Sequence, residues 1–268
     1  MNDPLRRAVH DFMSRDHTAD VAELNQLIRK RNSASANLQP EMPPIPFTGD
    51  PWSKVRGNCT LLFSINPKWH APGSKQYEKE FSQSIELIDR FHAGDHSAFE
   101  GYLRLRTDYF SSGMAYGSHF TYLSNRFREN WYDVEDVWGE HVLCMDCLPW
   151  FSDNTNDIDN ERLRDAFRTL PSLISYRQII EEVVLLTRPS RIQLNGKPPR
   201  IAFEDIFANE PFARQSRWGM HIGSVTIANQ TIPVLAHNFG KSMNGPNSKD
   251  DWAKMAAEWS DWLSGSNF

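Results

Sequence analysis

Three short runs of consecutive apolar residues punctuate the chain: CTLLFSI at 59 to 65, HVLCMDCLPW at 141 to 150 and SRIQLNG at 190 to 196. Runs of this length without polar alternation suit strands buried on both faces of a parallel sheet. Between the first two, Phe81, Ile85, Leu87, Ile88 and Phe91 recur at helical spacing, and Gly94 is placed to stop that helix. Such a crossover is what parallel strands require. Between the second and third runs, one helix opens at Asp159-Asn160-Glu161 and runs towards Leu170, and another covers 172 to about 186. The stretch 223 to 238 reads as two strands around Asn229-Gln230, the second returning to the sheet as PVLAHN. Trp252, Met255, Ala256, Trp259 and Leu263 then lie on one face of a closing helix capped by Asn or Ser. Strands alternating with helices predict an α/β chain: a three-layer α/β/α sandwich around a central, mainly parallel four-stranded sheet.

Ahead of the sheet, Leu5, Val9, Phe12, Val21, Leu24, Leu27 and Ile28 mark two helices or one kinked helix, broken near Asp16-His17-Thr18. Residues 32 to 51 are rich in Ser, Asn and Pro and read as an extended connector. The domain reading is therefore an N-terminal helical extension and linker over 1 to 44, then one α/β/α domain over 45 to 268. Within it, 97 to 138 is dense in aromatics, among them Tyr102, Tyr109, Phe110, Phe120 and Tyr122, and reads as an irregular insertion.

Composition narrows the function classes. With 29 Lys+Arg against 34 Asp+Glu the net charge is −5, so contact with nucleic acid must use a local patch and not the field of the whole molecule. No apolar run approaches a membrane span and the first residues lack the apolar core of a signal peptide, so a cytoplasmic protein is expected. Three cysteines make no disulfide framework. Cys144 and Cys147 form a C-x-x-C, but on a strand these positions face opposite sides, which favours packing over a shared metal. The histidines are scattered without ligand spacing, and neither a phosphate-cradling glycine motif nor a nucleophile elbow is present. No metal and no cofactor are expected.

Open parallel sheets bind ligands beyond the carboxyl ends of their strands. Those ends here are 66 to 70 (NPKWH), 146 to 151, 195 to 197 (NGK) and His237-Asn238 with the loop to Asn247. Each sets polar side chains beside aromatic or glycine residues, as a small planar ligand would need.

These segments carry a resemblance. PFTGDPWSKVRGNCTLLFSINP is similar to the opening of an uncharacterised bacterial branch of the uracil-DNA glycosylase-like superfamily, in which Asn-Pro or Asp-Pro ends the first strand. CMDCLPW, RIQLNGKP and LAHN resemble that superfamily's second, third and last strand motifs, in the same order. The resemblance covers about 45 to 262 and implies cleavage of an N-glycosidic bond by water. It implies that Asn66 positions the water, that His237 stabilises the departing base, and that Phe81, with Tyr77 as substitute, stacks on the base. Pro67 would close the base pocket. Lys68, Lys197, Asn238 and Lys241 would be nucleic-acid contacts. The implied partner is single- or double-stranded DNA or a nucleobase-like small molecule.

The chain departs from the pattern twice. Asp146 stands where the family has a base-reading Asn; an ionised carboxylate only accepts hydrogen bonds, whereas an amide also donates. The base it reads therefore carries an amino group, or burial keeps Asp146 protonated. The last motif, His237-Asn238-Phe239-Gly240, lacks Pro-Ser. Arg104, Arg106, Arg126 and Arg128, and Arg188, Arg191, Lys197 and Arg200, form two modest basic clusters that read either as single-strand contacts or as solvated faces. The rival reading is a non-catalytic module that keeps the pocket for a nucleotide-like ligand or a protein partner.

Overall fold

The computed structural model describes residues 3–115, 117–215, 217–240 and 242–266. They form, in chain order, α1 (Pro4–Met13), α2 (Thr18–Leu27), β1 (Thr60–Ser64), α3 (Ser82–His92), α4 (His96–Thr107), α5 (Gly117–Asn130), α6 (Val137–Glu140) and β2 (Val142–Asp146). There follow α7 (Asn160–Thr169), α8 (Pro171–Thr187), β3 (Arg191–Asn195), α9 (Lys197–Phe207), β4 (Ala213–Arg214), β5 (His221–Ile227), β6 (Gln230–His237) and α10 (Lys249–Gly265). None of these helices is long and apolar enough to cross a membrane.

The sheet is mixed and has six strands in the order β2-β1-β3-β6-β5-β4, where the sequence predicts four. Neighbours from β2 to β6 pair parallel, and β5 and β4 add antiparallel to the far edge. Alternation along the strands divides the core. Leu61, Phe63, Leu143, Met145, Ile192 and Leu194 face a cluster shared with α1, α7, α8 and α9. Leu62, Val142 and Leu235 face a cluster shared with α5, α6 and α10. Helices thus cover both faces, as apolar strands without alternation demand. Cys144 and Cys147 fall to opposite sides, Cys144 packing towards the α5 side and Cys147 within the other cluster.

Local signals in the chain set the helix ends. The Asp159 side chain accepts from the amides of Glu161 and Arg162 to cap α7, and Ser248 and Asp251 form a reciprocal capping box on α10. Gly94, at φ 97, takes the left-handed turn that follows α3.

Two regions differ from the sequence reading. The aromatic segment 97 to 138 is not irregular, because α4, α5 and α6 occupy most of it. Their apolar positions are interrupted by Arg, Asn and Gly, which hides the helical period. The N-terminal helices are woven into the main core, where Leu5, Val9, Phe12, Leu24 and Ile28 are all buried. The connector that follows lies across the end of β2: Ile45 N donates to Pro149 O, and Thr48 and Cys144 exchange both backbone hydrogen bonds.

Candidate functional site

The parallel register sets Leu62 beside Cys144 and Ser64 beside Asp146, with all four side chains on the α5 side of the sheet. Above them, at the carboxyl ends of β1, β2 and β3, lies a cavity of about 730 Å³. From β1 the chain goes outward to β2 on one side, and β3 flanks β1 on the other, so the cavity sits at the topological switch point. Asn195 completes the floor, Tyr109, Phe120 and Leu123 form one wall, and Ile45 and Phe151 form the opposite one.

Asn66 stands at the end of β1, fixed by two zipped segments. Ser152 N donates to Pro67 O and Trp69 N to Ser152 O, which draws the loop after β1 against the loop after β2. The Asn66 amide then spends its Nδ2 hydrogens on Ser152 Oγ at 2.8 Å and on the carbonyls of Pro67 and Trp150 at 3.2 Å. Its Oδ1 is buried and has no partner. The side chain is thereby oriented with an unused acceptor in a residue that lines the cavity.

Asp146 is half-buried on the floor, and its carboxyl makes no hydrogen bond or ion pair among the described residues. Burial pushes its ionisation from 3.8 up to about 7, because the charged form loses hydration and gains no donor. The backbone behind it is held from the other face by Tyr176, whose hydroxyl donates to Asp146 O at 2.8 Å. Asn195 anchors the next loop: its Oδ1 accepts from Gly240 N at 3.1 Å, and its Nδ2 reaches Ser64 Oγ at 3.5 Å.

His237 is not brought to the cavity. It is 2% exposed and packs edge-on against Trp252 of α10. Its Nδ1 donates to Asn238 O at 2.7 Å and its Nε2 accepts from Gln193 Nε2 at 2.9 Å, so both ring nitrogens are engaged internally. Burial pulls its ionisation from 6.5 down to about 4. The neutral ring therefore supports the fold above pH 6.5, and that support is lost as pH falls from 6.5 towards 4, where the unfolded chain takes up the proton first. The acid loss expected from this residue is about 3 kcal/mol. Urea unfolding of native protein and His237→Gln from pH 8 to 4 checks it, and parallel profiles would refute it.

The predicted stacking ring is also displaced. Residues Tyr77–Phe81 form a π-helical turn that presents Glu80 to the cavity and sends Phe81 into the core at 1% exposure. Phe81 packs behind Phe151 with ring centroids 4.7 Å apart, and Tyr77 packs against Phe81 at 5.9 Å. Phe151 is the aromatic on the cavity wall. Glu80 is held by Arg106 Nη1 at 2.9 Å and by Gln76 Nε2 at 2.6 Å, and Gln76 also donates to Met114 O. This network ties the π-turn to the insertion.

Pro67, Lys68 and Lys197 line the cavity, both lysines exposed. Asn238 does not; its Nδ2 donates to Asn244 O and shapes the following loop. Lys241 lies outside the described residues. At the mouth, His119 and Phe239 stack with rings 5.6 Å apart and 3° from parallel. The two basic clusters are divided by the fold: Arg104, Arg128, Arg188 and Lys197 are exposed, whereas Arg106 is 1% exposed and paired with Glu80, and Arg191 is 5% exposed with Trp131 stacked at 4.4 Å. Arg126 is paired with Glu129, and Arg200 with Glu204.

Thr48, Glu80 and Leu123 line the cavity without being singled out in the sequence, although Glu80 directly precedes Phe81. Phe151 closes the 146-to-151 strand end, and Tyr109 and Phe120 belong to the aromatic segment, but the sequence gives none of the three an individual role. Among the described residues no three His, Cys, Asp or Glu side chains converge as a metal would require. No family model and no curated protein matches the chain.

Proposed function

We propose that this protein is a divergent member of the uracil-DNA glycosylase-like superfamily and hydrolyses the N-glycosidic bond of a nucleobase held in the cavity. The observation that carries the reading is the Asn66 amide, oriented by Ser152 and Trp150 with its Oδ1 buried and unpartnered at the cavity. The sheet order around β1, with Asn66-Pro67 at the switch point, supports the same placement.

A water on Asn66 Oδ1 is oriented by a carbonyl that cannot take its proton, since an amide has no useful pKa. The C1′–N bond breaks with its electron pair passing to the base, and the water oxygen then bonds C1′ and releases a proton to solvent. Phe151 supplies the planar wall beside the base. Asp146, protonated below about pH 7, donates to an acceptor on the base edge and offsets the charge that develops there. Ionised, it accepts from an exocyclic amino group instead.

Asp146 gives this mechanism a pH signature. Its raised ionisation stabilises the native state in full below the unfolded value near 3.9, and that contribution is lost as pH rises to about 7. The whole shift corresponds to about 4 kcal/mol; water in the cavity reaches the carboxyl, so about 2 kcal/mol is expected. Asp146→Asn should therefore be more stable than native protein at pH 8 by about that amount, with the advantage vanishing near pH 4. Thermal unfolding across this range checks it, and a constant difference would refute it.

The test of function is abasic-site formation on single- and double-stranded oligonucleotides carrying uracil, hypoxanthine, xanthine or alkylated bases. Silence across the panel in folded protein would sink the hydrolase reading. A second reading, a non-catalytic binder of a nucleotide-like ligand, is favoured by His237, whose ring nitrogens are both engaged away from the cavity. Base binding without cleavage would establish it.

A further inference from the structure

The polar groups on the cavity floor mostly accept. Asn66 has spent its Nδ2 hydrogens on Ser152 and two carbonyls and keeps a buried Oδ1 without a partner. Asp146 carries a carboxyl whose ionisation is raised by burial, with no neighbouring cation to offset it. Asn195 accepts from Gly240 N and turns its Nδ2 towards Ser64 Oγ. The Arg106 guanidinium is engaged by Glu80, and Lys68 and Lys197, the two lysines that line the cavity, are exposed.

Such a floor is poorly equipped for a base that departs as an anion. A neutral base takes on negative charge as the C1′–N bond breaks, and one preorganised donor at that charge contributes about two to three orders of magnitude in rate. His237 cannot be that donor, because it is 2% exposed and both its ring nitrogens are engaged. A purine alkylated at N7 or N3 needs no such donor. Its ring is already positive, and the electron pair of the breaking bond neutralises it.

We propose that the substrate is a nucleotide with a cationic base, an N-alkylated purine, whose N–H groups donate to Asp146 and which leaves uncharged. The inference rests on the reading of the cavity as a glycosylase site. The C1′–N electron pair passes to the base, the water oxygen bonds C1′, and one water proton goes to solvent; the products are a neutral alkylpurine, an abasic sugar and a proton. A carboxylate can accept two N–H donors at once, as N1–H and N2–H of an N7-alkylguanine offer. The ring's positive charge strengthens both hydrogen bonds and holds Asp146 ionised. Phe120, half-buried on the wall, and Phe239, 45% exposed at the mouth, add aromatic rings, whose faces attract cations.

Release of free base by the full chain tests this, from methylated DNA carrying 7-methylguanine and 3-methyladenine and from oligonucleotides carrying uracil, hypoxanthine or xanthine. After correction for spontaneous loss, at least one cationic base should be released about tenfold or more faster than any neutral one. Asp146→Asn should raise KM for that base about tenfold, the equivalent of one pKa unit of charge pairing, without lowering kcat. Mere distortion of the floor would lower kcat instead. A neutral base released as fast as the cationic ones would overturn the inference and leave the glycosylase reading standing, as would a KM unchanged in Asp146→Asn. No release of any base above the spontaneous rate, in folded protein, would overturn both.

Discussion

Asn66→Ala is expected to slow base release by about two to three orders of magnitude, the usual loss when one preorganised polar group at a reacting centre is removed. The substitution deletes a buried acceptor at the end of β1 that lacks a partner among the described residues, and with it the group that would hold the attacking water. It also strips donors from Ser152 Oγ and the Trp150 carbonyl, both on buried residues, which costs about 1 to 3 kcal/mol of stability. Single-turnover release measured beside a thermal melt separates the two effects. A variant that is folded and fully active would remove Asn66 from the mechanism. One that is inactive because it is unfolded would show that the three bonds act mainly as a brace.

Glu80→Ala should destabilise the protein by about 4 kcal/mol, since it leaves the Arg106 guanidinium buried without its carboxylate. Both side chains are nearly inaccessible, Arg106 at 1% and Glu80 at 3%, and the remaining neighbours, Ser84 Oγ at 3.3 Å and the faces of Tyr102 and Tyr109, cannot replace a charge. Replacing both members together, as Glu80→Met with Arg106→Met, should cost far less, because the pair as a whole recovers little beyond its own desolvation. Urea unfolding of the two single variants and the double one forms the cycle. A Glu80→Ala loss under about 1 kcal/mol would contradict the buried-pair account. Ligand affinity should fall with Glu80→Ala as well, because Gln76, Glu80 and Arg106 hold two walls of the cavity together.

How far the sequence speaks for this molecule differs from element to element. β1, β2 and β3 are legible because each is buried on both sides and so reads as an apolar run. β4 is two exposed residues with no pattern to find. α5 escapes because its buried positions, Leu123 and Phe127, are separated by polar and arginine residues that pack along its flank. At the site, Asn66 and Asp146 are legible because a strand end fixes where a side chain must emerge. Phe81 and His237 mislead for a shared reason: both stand near the right place in the chain, but a ring's direction is set by tertiary packing. A π-turn shifts Phe81 inward, and Gln193, four residues before α9 begins, captures His237. No local pattern records either event.

The exchange of hydrogen bonds between Thr48 and Cys144 has a further effect on how the protein behaves in concentrated solution. β2 is the outermost parallel strand, and an exposed strand of that kind is a template on which another chain can add and start a cross-β aggregate. The molecule lays its own connector over that edge, and at the opposite side the sheet ends in a strand of two residues, too short to recruit a neighbour. The connector thus shields the β2 edge at Cys144, and its truncation up to Thr48 would expose an adhesive strand as well as part of the cavity wall.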